Sequence, residues 1–360
     1  MSTSDRARYF VSDKNIYDAL NLNRVDRKTI QKLFRKRNTI ISHETSREEQ
    51  AEYFSRLIHD FQDHKDIAAK LGIVARRERL ASVDLSGIDD IDVLANAAES
   101  VKKQLEEFGD SVKVSQDGAS ARISIEYTLT DFRKNEFQQT QRRDGSIELE
   151  LEDGYVRVRY TDNDYIRSAV GSIVESAEKE NDIEIEKREI SLFSISEANI
   201  RSQFFYDLSN GLDGFNRQDV TDVYIYKPPP EIDKGDEPPE TYIEKVAAAG
   251  SGVSSSAFLN KLLDEEAYHV VRFVWLAKAT DAEGAVFEIE ARFNEPKDCT
   301  SFAHYLKGVF VAEPGEEILR RRAPTQIEIR RISRVVESRA RELIDAIESM
   351  YSLPERQDGD

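Results

Sequence analysis

The run Glu148-Leu149-Glu150-Leu151-Glu152-Asp153-Gly154-Tyr155-Val156-Arg157-Val158-Arg159 constrains this chain more than any other stretch. Two strictly alternating segments flank Asp-Gly, the composition of a two-residue type I′ hairpin. Counting outward from the turn sets Leu151 against Val156 and Leu149 against Val158 on one face. The same count sets Glu150 against Arg157 and Glu148 against Arg159 on the other. Apolar pairs then meet on a buried face and opposite charges on a wet one. A slip of one residue would invert both, so an antiparallel sheet in one register is demanded.

The surrounding pattern extends that sheet. Asp117-Gly118 predicts a second hairpin, with Val114 opposite Ala121 and Val112 opposite Ile123. Asp144-Gly145 is a candidate third turn, with a poorer register that sets Phe137 against Glu152. Helical spacing covers Ile91 to Phe108 and recurs in Tyr165, Ile166, Val170, Ile173 and Val174. A strand (Ile183 to Phe193), a helix (Glu197 to Leu212) and a strand (Val220 to Tyr226) are expected next. Pro228 to Pro239 holds five prolines among charges and reads as a linker. Beyond it, Thr241 to Glu244 has capping-box spacing for a short helix that Gly250 would end. Tyr268 to Ala277 is apolar on both faces and reads as a central strand, with Val286 to Phe293 beside it. Ile332, Val335, Val336, Ala340, Leu343, Ile344, Ile347 and Tyr351 form the stripe of a long terminal helix that must pack on a sheet. The expected class is α+β, with mainly antiparallel sheets and packed helices. The expected organisation is a helical module at 1–80, a connector at 81–88, an α+β domain at 89–227 and an α+β C-terminal domain at 241–352.

Charge divides along the same boundaries. The 360 residues carry a net charge of −18, which taken alone argues against nucleic acid. Residues 1–80, however, hold 17 Lys/Arg against 12 Asp/Glu, a balance of +5, leaving −23 on the remainder. A basic module on an acidic body is the pattern of a chain that binds a polyanion at one place. The single Cys excludes an internal disulfide and a multi-cysteine metal site. No apolar run approaches the roughly 18 residues of a membrane span, and Met1 to Phe10 lacks a signal-peptide core. A cytoplasmic protein with no membrane partner is expected.

The basic residues concentrate between Arg24 and Phe61. Asp26 is a suitable N-cap, with Val25 and Ile30 at staple positions. A helix from Arg27 to Arg37 would bury Ile30, Leu33 and Phe34, placing Lys28, Lys32, Arg35 and Lys36 on the opposite face. Thr39-Ile40-Ile41 favours an extended conformation. Ser46-x-x-Glu49 then caps a second helix whose apolar side is Tyr53, Phe54, Leu57, Ile58 and Phe61. Over residues 24–61, about a tenth of the chain, this order resembles the SAP-like helix–extension–helix modules that bind DNA. Where those modules begin the extension with glycine, this chain has Asn38-Thr39. The resemblance implies phosphate contacts from Lys28, Lys32, Arg35 and Lys36, to which Arg24 and Arg27 would add. The plainer alternative is a solvated helix face, or one that docks on the acidic body.

A second basic run, from Arg320 to Arg341, contains eight arginines and no lysine. Arg320, Arg321, Arg322, Arg330, Arg331 and Arg334 are candidates for bidentate contacts to phosphate or to a partner. Binding to carboxylates of the acidic middle region, or of a partner protein, is the preferred account.

Catalytic signals are weak. His59 and His64 are five residues apart, off the four-residue spacing of one helix face. Cys299 has no nucleophile signature, and Gly250 to Ser256 lacks a P-loop lysine. Asp182 to Lys187 only approximates a nuclease core. No cofactor is implied. The expectation is a non-catalytic DNA-binding adaptor, suited to a bacterial DNA-maintenance or defence system. Its acidic body would engage a protein partner. The competing expectation is a regulatory component that binds only proteins.

Overall fold

A computed structural model describes residues 12–21, 25–60, 62–63, 66–67, 78–88, 90–134, 136–229, 242–265, 267–281, 284–312 and 319–351. Strands β1 (Leu80–Ser86), β2 (Ser111–Asp117), β3 (Ser120–Thr130), β4 (Thr140–Glu152) and β5 (Tyr155–Thr161) make one half of a sheet, in the order β2-β3-β4-β5-β1. The β4–β5 register is the expected one: Leu151 faces Val156, Leu149 faces Val158, Glu150 faces Arg157 and Glu148 faces Arg159. Only Gly154 has positive φ, at +88°, so the turn differs from type I′ while the pairing is kept.

Two other turns depart from the sequence reading. The β2–β3 loop is Gly118-Ala119, so Val114 faces Ile123 and Val112 faces Ile125. Gly118, at φ +56°, takes the first loop position that type II′ turns give to glycine. The shift of two residues leaves every side chain on its expected face. Asp144-Gly145 makes no turn at all. It lies within β4, with Gly145 opposite Ile125. A Cβ at Gly145 would stand 2.5 Å from the Ile166 side chain, so glycine is needed there for close approach of a helix.

Helices α4 (Ile91–Glu107) and α5 (Asp164–Asn181) lie across this half. Leu94, Ala98, Val101, Ile166, Val170, Ile173 and Val174 join Ile123, Ile147, Leu149, Val156 and Val158 in one core. Residues 81–88, expected as a connector, supply β1 instead. Ala81, Val83 and Leu85 alternate into that core, and seven β1 residues pair with β5. The strand expected over Ile183 to Phe193 shortens to β6 (Glu186–Glu189), beside the end of β1.

The other half runs β11-β10-β9-β7-β8, from β7 (Phe215–Tyr226), β8 (Lys245–Ala249), β9 (His269–Ala279), β10 (Val286–Glu295) and β11 (Thr300–Ala312), with β12 (Leu319–Arg322) on β11. Strand β9 is central, as expected, with β10 beside it. Lys245 to Ala249 was expected in a helix, but as β8 it pairs with β7 and sets Val246 and Ala248 against the core. Edge pairing overrides the helix preference of its alanines. Thr241, the linker from Pro230 onward and residues 355–360 lie outside the described residues. Helices α6 (Ala198–Asn210), α7 (Ala257–Glu265) and α8 (Gln326–Tyr351) complete this half. Phe204, Phe205, Leu208, Ile332, Val336 and Ala340 pack with Phe273, Trp275, Ile289 and Phe293. The two cores divide between Ile185 and Ile190, upstream of the proline-rich run.

All pairings are antiparallel, helices pack on the sheet, and a helical region precedes it: the fold class is α+β. Side-chain alternation places α4 and α5 on one face of their half and α6 and α8 on the opposite face of the other. The halves join at β1, whose Leu80 and Ala81 pair with His304 and Ala303 of β11. No described helix is long and apolar enough to cross a membrane.

Candidate nucleic-acid interface

Helices α1 (Asp13–Asn21), α2 (Arg27–Lys36) and α3 (Arg47–Ser55) form the N-terminal module. Asp26 caps α2 by accepting the Thr29 N–H at 2.7 Å, and buried Val25 and Ile30 occupy the staple positions. Ile30, Leu33 and Phe34 are buried, and Phe34 meets Phe54 edge-on at 5.0 Å. Ser46 and Glu49 form the full capping box of α3. Asn38 holds a left-handed φ of +55° where the resembling modules carry glycine; asparagine tolerates this conformation best among side-chain-bearing residues. Phe137, from the segment after β3, completes the module's core and ties it to the sheet.

Packing departs from the sequence reading at α3. The helix stops at Ser55; Ile58 is exposed, while Tyr53, although half-exposed, stacks its ring on Phe34 at 6.0 Å between centroids. Nine residues give only two and a half turns, so the apolar stripe cannot continue through Ile58. Phe61 and His64 lie outside the described residues.

The six candidate cations of the module have different fates. Arg24 lies outside the described residues. Arg27 donates to the backbone carbonyls of His43 and Thr45, fastening α2 to the loop before α3. Lys36 pairs with Asp66; that hydrogen bond holds the Asp66 carboxyl below its ordinary range and the Lys36 ammonium above its own. Lys28, Lys32 and Arg35 are exposed, at positions i, i+4 and i+7 of one helix face. Among the described residues these three make no hydrogen bond or ion pair. Arg37, which the sequence reading passed over, pairs with Asp63 and lies 5.6 Å from the Phe54 ring centroid.

The arginines of the second run are engaged within the chain. Arg321 meets Glu288 at 3.0 Å, Arg322 meets Glu328 at 2.5 Å and Arg331 meets Asp281 at 2.9 Å. Arg330 and Arg334 reach Glu148 and Glu150 of β4. Arg320 is exposed on β12, opposite Val311. Arg330 and Arg334 begin a stripe that continues through Glu337, Arg341, Asp345 and Glu348 at helical spacing. Glu337 receives two bonds from Arg159, at 2.8 and 2.6 Å. Arg341 reaches Asp84 at 2.5 Å and Ser82 at 3.0 Å, while Asp345 and Glu348 take Arg188. One face of α8 is thus an ionic weld to the first half of the sheet, and its apolar face belongs to the second core. The face of β4–β5 expected to be wet lies beneath this helix: Arg157 is 7% exposed and Arg159 is 4% exposed.

Sequence reasoning missed the cleft at this seam, of about 420 Å³, lined by Arg122, Glu148, Arg159, His304 and Arg330 among others. Glu148 accepts from Arg122 at 2.9 Å and Arg330 at 3.3 Å, so these charges are balanced inside the cleft. His304 is buried with neither ring nitrogen hydrogen-bonded to another described residue, and burial pushes its imidazole down to about 4. No sequence signal would have found the cleft, because its walls come from segments some 180 residues apart.

Elsewhere, burial pushes the Cys299 thiol up to about 12, removing thiolate character at neutral pH. Within Gly250 to Ser256, the Gly252 N–H is taken by the Asp219 carboxylate at 3.0 Å. Among the described residues no group of three or more His, Cys, Asp or Glu side chains is arranged to hold a metal ion. Compared with known proteins, the chain matches no protein-family model and no curated protein.

Proposed function

We propose that this chain is a cytoplasmic nucleic-acid-binding adaptor that holds DNA through the exposed face of α2, while its acidic α+β body engages a protein partner. One observation carries the reading: Lys28, Lys32 and Arg35 share one exposed face and make no hydrogen bond or ion pair among the described residues, whereas the arginines of α8 are already paired. Three cations on a rigid helix suit phosphate neutralisation, a salt-sensitive contact largely independent of sequence. The negative body would repel DNA elsewhere and so orient it toward this face. A role in bacterial DNA maintenance or defence is consistent with such an adaptor.

A mobility-shift titration across a salt series tests the proposal. Lys28→Glu/Lys32→Glu/Arg35→Glu should abolish the shift, and neutralising only Lys28 and Lys32 should reduce the salt slope by about 2. An unchanged slope, or no binding by the native chain at low salt, refutes it. The second reading is a protein-only role, favoured by Ile40 and Ile58, which are 96% and 90% exposed on the same module.

A further inference from the structure

We propose that the reverse face of the second half-sheet holds a binding site for a phosphate group, as free phosphate or a small phosphate monoester, between Arg272, Arg292 and Lys245. Arg272 of β9 and Arg292 of β10 are directly opposite each other in the antiparallel register. Like charges in that position are repulsive, at side-chain separations of about 5 Å. Tyr224 of β7 stands opposite Arg272 on the other side, bringing a phenol into the same cross-strand row. Together with Lys245 of the edge strand β8 and Asn294, these residues line a cavity of about 370 Å³.

One cation of this cavity, Arg292, has no ion-pair partner among the described residues, unlike the paired arginines of the seam cleft. Among the described residues its lining includes three cations and no carboxylate. Two of the cations each hold a carboxylate outside the lining, Asp222 taking one N–H of Arg272 and Glu244 taking Lys245 at 3.2 Å, while Glu290 takes Arg79 at 2.8 Å. Asp162 takes Arg167 at 2.7 Å and Asn294 at 2.8 Å. Arg292 makes no hydrogen bond or ion pair with any described residue, and the Nε atoms of both Arg272 and Arg292 are buried without an acceptor. Burial, with Arg79 and Arg272 alongside, presses the Arg292 guanidinium below its ordinary range. An unpaired guanidinium in a pocket is costly, and an anion with several acceptor oxygens removes both the repulsion and the missing acceptors. A phosphate dianion matches this need: guanidinium forks bind its oxygens bidentately, Lys245 adds charge and the Tyr224 hydroxyl adds a donor.

The test is calorimetric titration of the full chain with inorganic phosphate, against chloride at matched ionic strength. Adenosine 5′-monophosphate and adenosine serve as separate titrants. Saturable phosphate binding is expected in the native protein, weakened about tenfold or more by Arg292→Gln. Lys245→Gln, on an exposed edge, should weaken it severalfold without threatening the fold. Adenosine should not bind. Binding of the nucleotide identifies a monoester site, while binding of inorganic phosphate alone identifies a free-phosphate site. In phosphate-free buffer, Arg292→Gln should unfold no more readily than the native chain, since it removes an uncompensated charge. A phosphate response no greater than that of chloride, or phosphate affinity unchanged in both variants, overturns the proposal. So does a lowered melting temperature for Arg292→Gln without phosphate.

Discussion

Replacing Glu337 with glutamine should destabilise the whole protein by about 3–5 kcal/mol, the cost of leaving one member of a buried ion pair uncompensated. Glu337 has no exposed surface and Arg159 is 4% exposed; two bonds of 2.8 and 2.6 Å join them. Burial alone would raise the Glu337 carboxyl, but the cations Arg159 and Arg341 outweigh it and hold the carboxyl below its ordinary range. In Glu337→Gln one neutral amide oxygen replaces the carboxylate, and the remaining carboxylates near Arg159 are the more distant Glu148 at 3.6 Å and Glu150 at 4.0 Å. The assay is urea unfolding followed by fluorescence of Trp275, the single tryptophan, which is buried in the second core. At a slope of about 3 kcal/mol per molar urea, the midpoint should fall by about 1–1.7 M. The double variant Arg159→Met/Glu337→Leu should recover most of that loss, because it removes both charges and retains the volume. An unchanged midpoint for Glu337→Gln, or a double variant weaker than the single one, refutes the description of α8 as an ionic weld.

Other outcomes are equally specific. Burial pushes His269 and His304 each down to about 4, so between about pH 6.5 and pH 4 the unfolded chain binds protons there that the folded chain does not. Stability should therefore fall as the pH drops through that window, by up to about 3 kcal/mol per histidine. His269→Gln should flatten its share of the urea-midpoint profile, and an unaltered profile contradicts this. Gly145→Ala should cost about 1–3 kcal/mol, because its methyl group meets Ile166 within the first core; a neutral result contradicts the close approach. Cys299 should resist a thiol reagent in the native protein and react after unfolding, since its thiol is buried and raised to about 12. Rapid native labelling would show that the strand β11 entry opens.

Much of this architecture was legible because local chemistry agreed with the final packing. Alternation on both sides of Asp153-Gly154 specified the β4–β5 register pair by pair. Asp26 and the Ser46–Glu49 box marked the starts of two helices, and the apolar stripe of α8 required a sheet beneath it. The failures share a different cause. Ala-Ser-Val-Asp-Leu-Ser is too short and polar to announce a central strand; β1 exists because β5, β6 and β11 pair with it. Lys245 to Ala249 has good helix formers and is a strand because β7 offers an edge.

The candidate site divides in the same way. Capping signals and helical periodicity by themselves determined that Lys28, Lys32 and Arg35 would share a face opposite Ile30, Leu33 and Phe34, because i, i+4 and i+7 are neighbours on any α-helix. Whether such a charge remains available depends on distant segments. Glu148 and Glu150 await Arg330 and Arg334 from some 180 residues away, while Arg292 is set beside Arg272 by strand pairing. Charges act through space at distances of a few ångströms, and only the tertiary structure decided which carboxylate each arginine would meet.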